Sequence, residues 1–110
     1  MTRFPRRYNV HLADLDPTVG GEMRKVRPVV VISQNEMNQY LDTVVVCPLT
    51  STLHPSWRSR LQISSAGQPA EIAVDKIRAV SKRRLMRRVD RLSAADASHL
   101  RRVINEMYGE

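Results

Sequence analysis

Val29-Val30-Val31-Ile32 is an unbroken run of β-branched residues, and it decides what kind of fold the sequence can adopt. Such a run is typical of a strand buried on both faces, because a half-exposed strand would alternate apolar and polar residues. A second apolar run, residues 43–49, has the same bias and contains the single cysteine, Cys47. The two runs predict a β-rich core, and the apolar neighbours of Cys47 predict a buried structural thiol.

Shorter patterns on either side predict further strands and one short helix. The additional predicted strands cover residues 8–15, 60–63 and 70–77. Residues 66–69 combine a glycine with a proline and predict a turn, and residues 35–41 predict a short helix. With the two buried runs, these segments predict an antiparallel sheet.

The end of the chain predicts a longer helix. Ser93 is suited to cap its first turn, Leu92 and Ala97 fit a hydrophobic staple, and Gly109 marks its end. One apolar stripe at helical spacing contains Ala97, Leu100, Val103, Ile104 and Met107. Strands first and a helix last predict a single α+β domain over residues 1–110, with the sheet closed into a small barrel.

Positive charge is concentrated in two places. The 110 residues include 18 Lys plus Arg against 11 Asp plus Glu, for a net charge of +7. Residues 76–91 contain eight of the basic residues and one acid, Asp90, and a second group consists of Arg24, Lys25 and Arg27. Unmatched basic clusters favour a polyanionic partner, whereas a scattered charge would indicate only a solvated surface.

Several protein classes do not fit the sequence. A single cysteine rules out a disulfide framework, and no apolar stretch has the length of a signal peptide core or of a membrane span. The three histidines, at positions 11, 54 and 99, have no spacing typical of metal ligands, so neither a metal nor another cofactor is expected. We therefore expect a cytoplasmic protein with no membrane association.

Three motifs occur in an order and spacing that resemble the MazF/PemK (Kid) endoribonuclease toxins of type II toxin–antitoxin systems. They are Asp14-Leu15-Asp16-Pro17 followed by Gly20-Gly21-Glu22 and Arg27-Pro28-Val29-Val30-Val31-Ile32-Ser33; Pro48-Leu49-Thr50-Ser51; and Asp75-Lys76-Ile77-Arg78. The likeness covers nearly the whole chain. It departs from the family pattern at His11, where an aromatic residue is usual, and at Ala73, where some members have a catalytic arginine.

The resemblance implies both a fold and an activity. The fold would be an SH3-like antiparallel β-barrel of the CcdB/PemK kind, with a short internal helix and a C-terminal helix. The protein would be a homodimer that cuts single-stranded RNA without metal and is neutralised by a MazE-type antitoxin with an acidic C-terminal tail.

The same resemblance assigns candidate site residues. Cleavage without metal uses the 2′-OH of the RNA as nucleophile, which requires a proton acceptor and donors to the phosphate oxygens. Arg27 and Thr50 are the implied phosphate-stabilising residues, and Glu22 is a candidate general base. The motifs add Gly20, Gly21, Ser51, Asp75, Lys76 and Arg78 as candidate substrate-binding residues. The second basic cluster adds Arg24 and Lys25, and Trp57 is a candidate for stacking on a base.

Alternative interpretations remain open at this stage. Arg27 could instead form an ion pair with Glu22 or Asp75, Thr50 could cap a turn, and Trp57 could pack its loop against the core. For the whole chain, the alternatives are a CcdB-like gyrase poison and a non-catalytic RNA-binding barrel. The RNA sequence that is cut depends on the geometry of loops 18–26 and 52–60, which the sequence does not reveal.

Overall fold

A computed structural model of the chain describes residues 3–15 and 26–110. Along this part of the chain the elements are β1 (Asn9–Asp14), β2 (Val26–Val31), α1 (Asn35–Tyr40), β3 (Thr43–Thr50), β4 (Arg60–Ser65), β5 (Gln68–Ala73), β6 (Arg78–Ser81), β7 (Leu85–Arg91) and α2 (Ala94–Tyr108).

The strands of the described residues form a seven-stranded sheet in which every pairing is antiparallel. The order is β4-β5-β3-β2-β1-β7, and β6 pairs with the first half of β3. Strand β3 therefore has three neighbours. It pairs with β2 along one edge, and along the other edge its first half pairs with β6 and its end pairs with β5. This division curls the sheet, and the predicted α+β class with a short internal helix and a C-terminal helix is confirmed.

The β-branched run is buried on both faces, as the sequence predicts. Val30 and Ile32 lie in one core cluster, beneath α2, whereas Val29 and Val31 lie in a second cluster on the opposite face. Cys47 is fully buried in the first cluster, and this burial, with a smaller contribution from the charge of Asp75, raises the pKa of its thiol to about 12. The thiol is therefore structural and stays protonated.

Helix α2 begins and ends as the sequence predicts. The Ser93 hydroxyl accepts a hydrogen bond from the Asp96 backbone N–H at 3.0 Å, and Gly109 is the C-cap. Ala97, Leu100 and Val103 bury one face of the helix against the sheet. In the described part of the chain, neither helix is long and apolar enough to cross a bilayer.

The predicted bounds of one strand and of one turn are wrong. The strand predicted over residues 70–77 ends at Ala73, and Val74–Lys76 form a single turn of 3-10 helix. The turn predicted over residues 66–69 is shorter, because Gln68 already pairs with Ser65 at the start of β5. The sequence also did not predict β6 and β7, because Lys and Arg side chains hide the alternation of exposed edge strands.

Candidate active site

Arg27, Thr50 and Glu71 lie in one row across the sheet. Thr50 of β3 pairs directly with Glu71 of β5, and the register between β2 and β3 pairs Val29 with Pro48. Continued by two residues, that antiparallel register sets Arg27 opposite Thr50. Because residues opposite one another in an antiparallel pair point to the same face, the row gathers a cation, a hydroxyl and a carboxylate on one side of the sheet.

Two cavities meet at this row. The first cavity has a volume of about 550 Å³, and among the residues that line it are Arg27, Thr50, His54, Arg60, Lys76 and Arg78. The second cavity has a volume of about 630 Å³, and its lining includes Arg27, Thr50, Ser51, Thr52 and Arg87. Each is within the range of about 300–1,000 Å³ usual for ligand sites. Arg27 and Thr50 line both cavities, as do Leu49 and Thr52.

The side chains of Arg27, Lys76 and Arg78 are available to an anion. All three residues are exposed, and no carboxylate of residues 3–15 or 26–110 lies within ion-pair distance of them. We call these three residues, together with Thr50, the groove cluster. An arginine fork in this state can bind two phosphate oxygens, and lysine adds a point charge.

The Thr50 hydroxyl retains its ability to donate. Its Oγ1 accepts a hydrogen bond from the backbone N–H of Thr52 at 3.1 Å. The bond uses an oxygen lone pair and fixes the position of the oxygen, but leaves the hydroxyl hydrogen free to point toward a phosphate oxygen. Thr50 is therefore both a local cap, as one alternative held, and a potential donor in the groove.

A second charged group lies beside the first. Arg60 donates to Glu71 Oε2 from Nη1 at 2.7 Å, to Asp75 Oδ1 from Nε at 2.8 Å, and more weakly to Asp75 Oδ2 from Nη2 at 3.4 Å. Glu71 also accepts from Gln62 Nε2 and from the backbone N–H of His54, each at 2.5 Å. We call Arg60, Glu71 and Asp75 the buried ion-pair cluster.

The carboxylates of this cluster remain charged. Burial acts to raise the pKa of Glu71, but the hydrogen bonds from Gln62, His54 and Arg60 together outweigh it and hold that pKa below its ordinary value. The hydrogen bond from Arg60 is the largest of the influences that lower the pKa of Asp75. Both carboxylates are ionised and therefore neutralise Arg60. Arg60 thus adds no net positive charge to the cavity.

Glu71 also holds the loop over residues 51–59 against the sheet. Besides the bond from His54 N, the loop is closed by Trp57 N donating to His54 O at 3.0 Å. The His54 and Trp57 rings are in contact, with centroids 3.9 Å apart, and the Arg60 guanidinium lies 4.7 Å from the Trp57 ring centroid. His54 thereby enters the wall of the first cavity.

The fold of the chain recurs in known proteins. Residues 6–108 match the family described as the PemK-like, MazF-like toxin of type II toxin–antitoxin system. The chain belongs to this family. An Endoribonuclease MazF of Staphylococcus saprophyticus is 32% identical over 93 residues, which cover 80% of this chain and 78% of that protein.

Solved structures of the family have the same fold at low identity. MazE–MazF from Deinococcus radiodurans superposes with a TM-score of 0.83 at 19% identity, covering 98% of each chain. A mycobacterial endoribonuclease in complex with its cognate antitoxin superposes with a TM-score of 0.81 at 20% identity, covering 96% of this chain and 95% of that one. The MazF-like fold predicted from the motifs is therefore confirmed.

The structure brings several of the predicted site residues together and separates others. Arg27, Thr50, Lys76 and Arg78 line the first cavity, and Ser51 lines the second. Asp75 pairs with Arg60, not with Arg27. Trp57 faces a smaller, separate pocket beside α2, with Arg58, His99 and Arg102. The predictions for Gly20, Gly21, Glu22, Arg24 and Lys25 lie outside the described residues.

Three residues of the site were not predicted from the sequence. Arg60 and Glu71 were assigned to strands without a role, and His54 was considered only as a metal ligand. A signal for Glu71 was available, since it is the one acid inside the apolar segment 70–74. A buried acid requires partners, and Arg60 and Gln62 sit on the strand that pairs with it.

Proposed function

We propose that the chain is a sequence-specific endoribonuclease toxin that cleaves single-stranded RNA without a metal ion. The observation that carries this proposal is that Arg27 and Thr50 line both cavities. A strand cut internally needs a nucleotide on each side of the scissile phosphate. Two cavities that share a guanidinium and a hydroxyl in their linings fit that requirement, with the phosphate at Arg27 and Thr50.

In the proposed reaction the 2′-OH attacks the adjacent phosphorus and displaces the 5′-oxygen of the next nucleotide. The products are a 2′,3′-cyclic phosphate and a 5′-OH. Arg27 stabilises the equatorial oxygens of the pentacoordinate phosphate, and Thr50 donates a hydrogen bond to one of them. Lys76 and Arg78 supply further positive charge to the strand that occupies the first cavity.

The proposed partners follow from the family and from the charge of the groove. We propose a homodimer that is neutralised by a MazE-type antitoxin, whose acidic C-terminal tail would occupy the groove in place of RNA. One protein of the same fold is described as an endoribonuclease in complex with its cognate antitoxin, and another as MazE–MazF. The cations of the groove cluster, which have no acidic partner among the residues that the structure describes, are complementary to such a tail.

Incubation of the purified protein with single-stranded RNA of mixed sequence in excess EDTA tests the function. We expect cleavage at a limited set of sites, with cyclic phosphate and 5′-OH ends. The same RNA substituted with 2′-deoxynucleotides is the matched control. It should bind and stay intact, because it lacks the nucleophile.

The other outcomes distinguish the alternative functions. Retention of RNA without cutting would indicate a binding module. Neither binding nor cutting would indicate a protein target, as for a gyrase poison. Cleavage of the 2′-deoxy substrate would contradict the proposed chemistry, because that reaction requires another nucleophile.

A further inference from the structure

His54 occupies a fixed position in the wall of the first cavity. Its backbone N–H is bound to the buried Glu71 carboxylate, and its backbone oxygen accepts from Trp57 N. The Trp57 ring packs on its imidazole. The imidazole is therefore held from both the backbone and the ring face in the cavity that also contains Arg27 and Thr50.

The two ring nitrogens of His54 have different surroundings. Nδ1 is buried, lies 3.7 Å from Glu71 Oε2, and has no hydrogen-bond partner in residues 3–15 or 26–110. The side chain as a whole is 32% exposed. Since Nδ1 is covered, the exposed part of the side chain does not include that nitrogen.

The charge of Glu71 sets how the imidazole can act. A carboxylate facing Nδ1 favours a proton on that nitrogen and leaves the lone pair on Nε2, the arrangement of a general base. The other charged groups around His54 are Arg60 on β4 and the cavity residues Arg27, Lys76 and Arg78. Arg60 is neutralised by Glu71 and Asp75, and the other three are cations that a bound phosphate neutralises.

The described lining of the first cavity contains no other imidazole and no carboxylate. It consists of apolar residues, two threonines, His54 and the basic side chains of Arg27, Arg60, Lys76 and Arg78. An arginine guanidinium titrates above about pH 12 and does not serve as a base. No carboxylate of the described chain lines this cavity.

We propose that His54 is the general base of RNA cleavage and that Glu71 is its positioning residue; this rests on the proposed function. Nε2 takes the proton of the 2′-OH as the O2′–P bond forms. The P–O5′ bond breaks, and the leaving oxygen keeps the electron pair and takes a proton from a water molecule. The hydroxide formed removes the proton from His54, so the protein returns to its starting state.

The test is single-turnover cleavage by His54→Ala on an RNA that the wild-type protein cuts. We expect a rate lower by about 10²- to 10⁴-fold, the usual contribution of a general base. Imidazole added to the buffer should restore part of the rate. The fall in rate at acidic pH, where an imidazole is protonated, should disappear in the variant. RNA affinity should stay close to that of the wild type.

Two further variants make the result specific. His54→Gln keeps the size and polarity of the side chain without its basicity, so it should fold as the wild type does and still cut slowly. His99→Ala is the matched control, because His99 is exposed on α2 and lines neither the first cavity nor the second. Its cleavage rate should be unchanged.

The possible failures are distinguishable. Wild-type cleavage together with undiminished cleavage by His54→Ala would overturn the role of His54 and leave the proposed function standing. A slow variant that imidazole does not rescue and that retains the acidic fall in rate would show a purely structural role, and would also overturn the proposal. A wild-type protein that cuts no RNA would overturn the proposed function and this inference with it.

Discussion

The first cavity contains two groups of basic side chains that the fold treats in opposite ways. Arg60 is only 6% exposed and is bound by two carboxylates, whereas Arg27, Lys76 and Arg78 are exposed and have no acidic partner within the described residues. A paired and buried cation stabilises the fold around it. An exposed cation without a partner retains its capacity to bind an anion. The same residue type is therefore neutralised at one position in the cavity lining and left accessible to an anion at others.

The difference arises from the strands that carry each group. Glu71 pairs with Gln62 across β4 and β5, two residues from Arg60, so the carboxylate and the guanidinium meet as soon as these strands form. Arg27 lies at the start of β2. The acid in line with it across the sheet is Glu71, whose carboxylate already accepts hydrogen bonds from Arg60, Gln62 and the His54 backbone. Because Glu71 is bonded to these three groups, Arg27 has no acidic partner among the described residues.

Among variants of the groove cluster and the buried ion-pair cluster, the largest expected effect is on catalysis by Arg27→Ala. Removing a preorganised donor to the phosphate should lower the single-turnover rate by about 10²- to 10³-fold. Because Arg27 is exposed, the free energy of unfolding of the variant should differ from that of the wild type by no more than about 0.5 kcal/mol. Arg3→Ala, an exposed arginine that lines neither cavity, is the control. Cleavage by Arg27→Ala at the wild-type rate would show that the groove cluster is not the site.

Glu71→Ala should slow cleavage as well, since Glu71 positions His54, but unlike Arg27→Ala it should also destabilise the fold strongly. The substitution leaves the Arg60 guanidinium buried without the Glu71 carboxylate. It also removes the acceptor of the His54 backbone N–H, which holds the 51–59 loop. Breaking a buried pair in this way costs about 3–5 kcal/mol, measured by urea denaturation. Asp75→Asn, at a side chain that is 38% exposed, should cost about 1 kcal/mol or less. Equal losses in the two variants would contradict the distinction drawn between buried and exposed partners.

Acid should weaken the fold through the same cluster. Hydrogen bonds hold the pKa of Glu71, against burial, and that of Asp75 below their ordinary values. The unfolded chain therefore binds protons more readily than the native one. The stabilisation is complete above the unfolded carboxyl pKa, about 3.9–4.3, and is lost as pH falls through the lower folded values.

The measurement is the free energy of unfolding from neutral pH down to about pH 2, a range that spans the carboxyl titrations. Wild-type stability should decline below about pH 4, and the decline should be smaller in Glu71→Gln. Asp90, whose pKa is lowered chiefly by the backbone N–H of Arg91, contributes a remaining decline in both proteins. An identical decline in the two proteins would place the acid sensitivity elsewhere.

The smallest expected effect is that of Lys76→Gln on the salt dependence of RNA binding. If Lys76 neutralises one phosphate of a single strand, its loss should reduce the log–log salt slope by about 0.7. Affinity for uncut 2′-deoxy oligonucleotides is measured across a range of salt concentrations. Lys82→Gln, outside both cavities, is the matched control. An unchanged slope in Lys76→Gln would remove Lys76 from the RNA path.

The sequence predicted the parts of this molecule that depend on local pattern. The Val29–Ile32 run, the Ser93 cap and the apolar stripe of α2 each follow from periodicity or from a short-range hydrogen bond, and the structure contains all three. The family motifs also predicted the pairing of Arg27 with Thr50 in one groove. These two residues are far apart in the chain, and only the strand register brings them together.

The buried ion-pair cluster was beyond such reasoning. The ion pair between Arg60 and Glu71 depends on the register of β4 with β5. The hydrogen bond from the His54 backbone to Glu71 depends on the path of the 51–59 loop. No spacing in the sequence encodes either. The extra turn at Val74–Lys76 was missed for a related reason, because its apolar residues fit a strand as well as they fit a 3-10 helix.

The most direct test of the division between the two clusters is to follow the arginine side-chain Nε–Hε signals by NMR while a 2′-deoxy oligonucleotide is added. The Arg27 signal should shift on binding, because its guanidinium takes a phosphate, and the Arg60 signal should stay in place within its carboxylates. A shift of the Arg60 signal with none at Arg27 would contradict the proposed site.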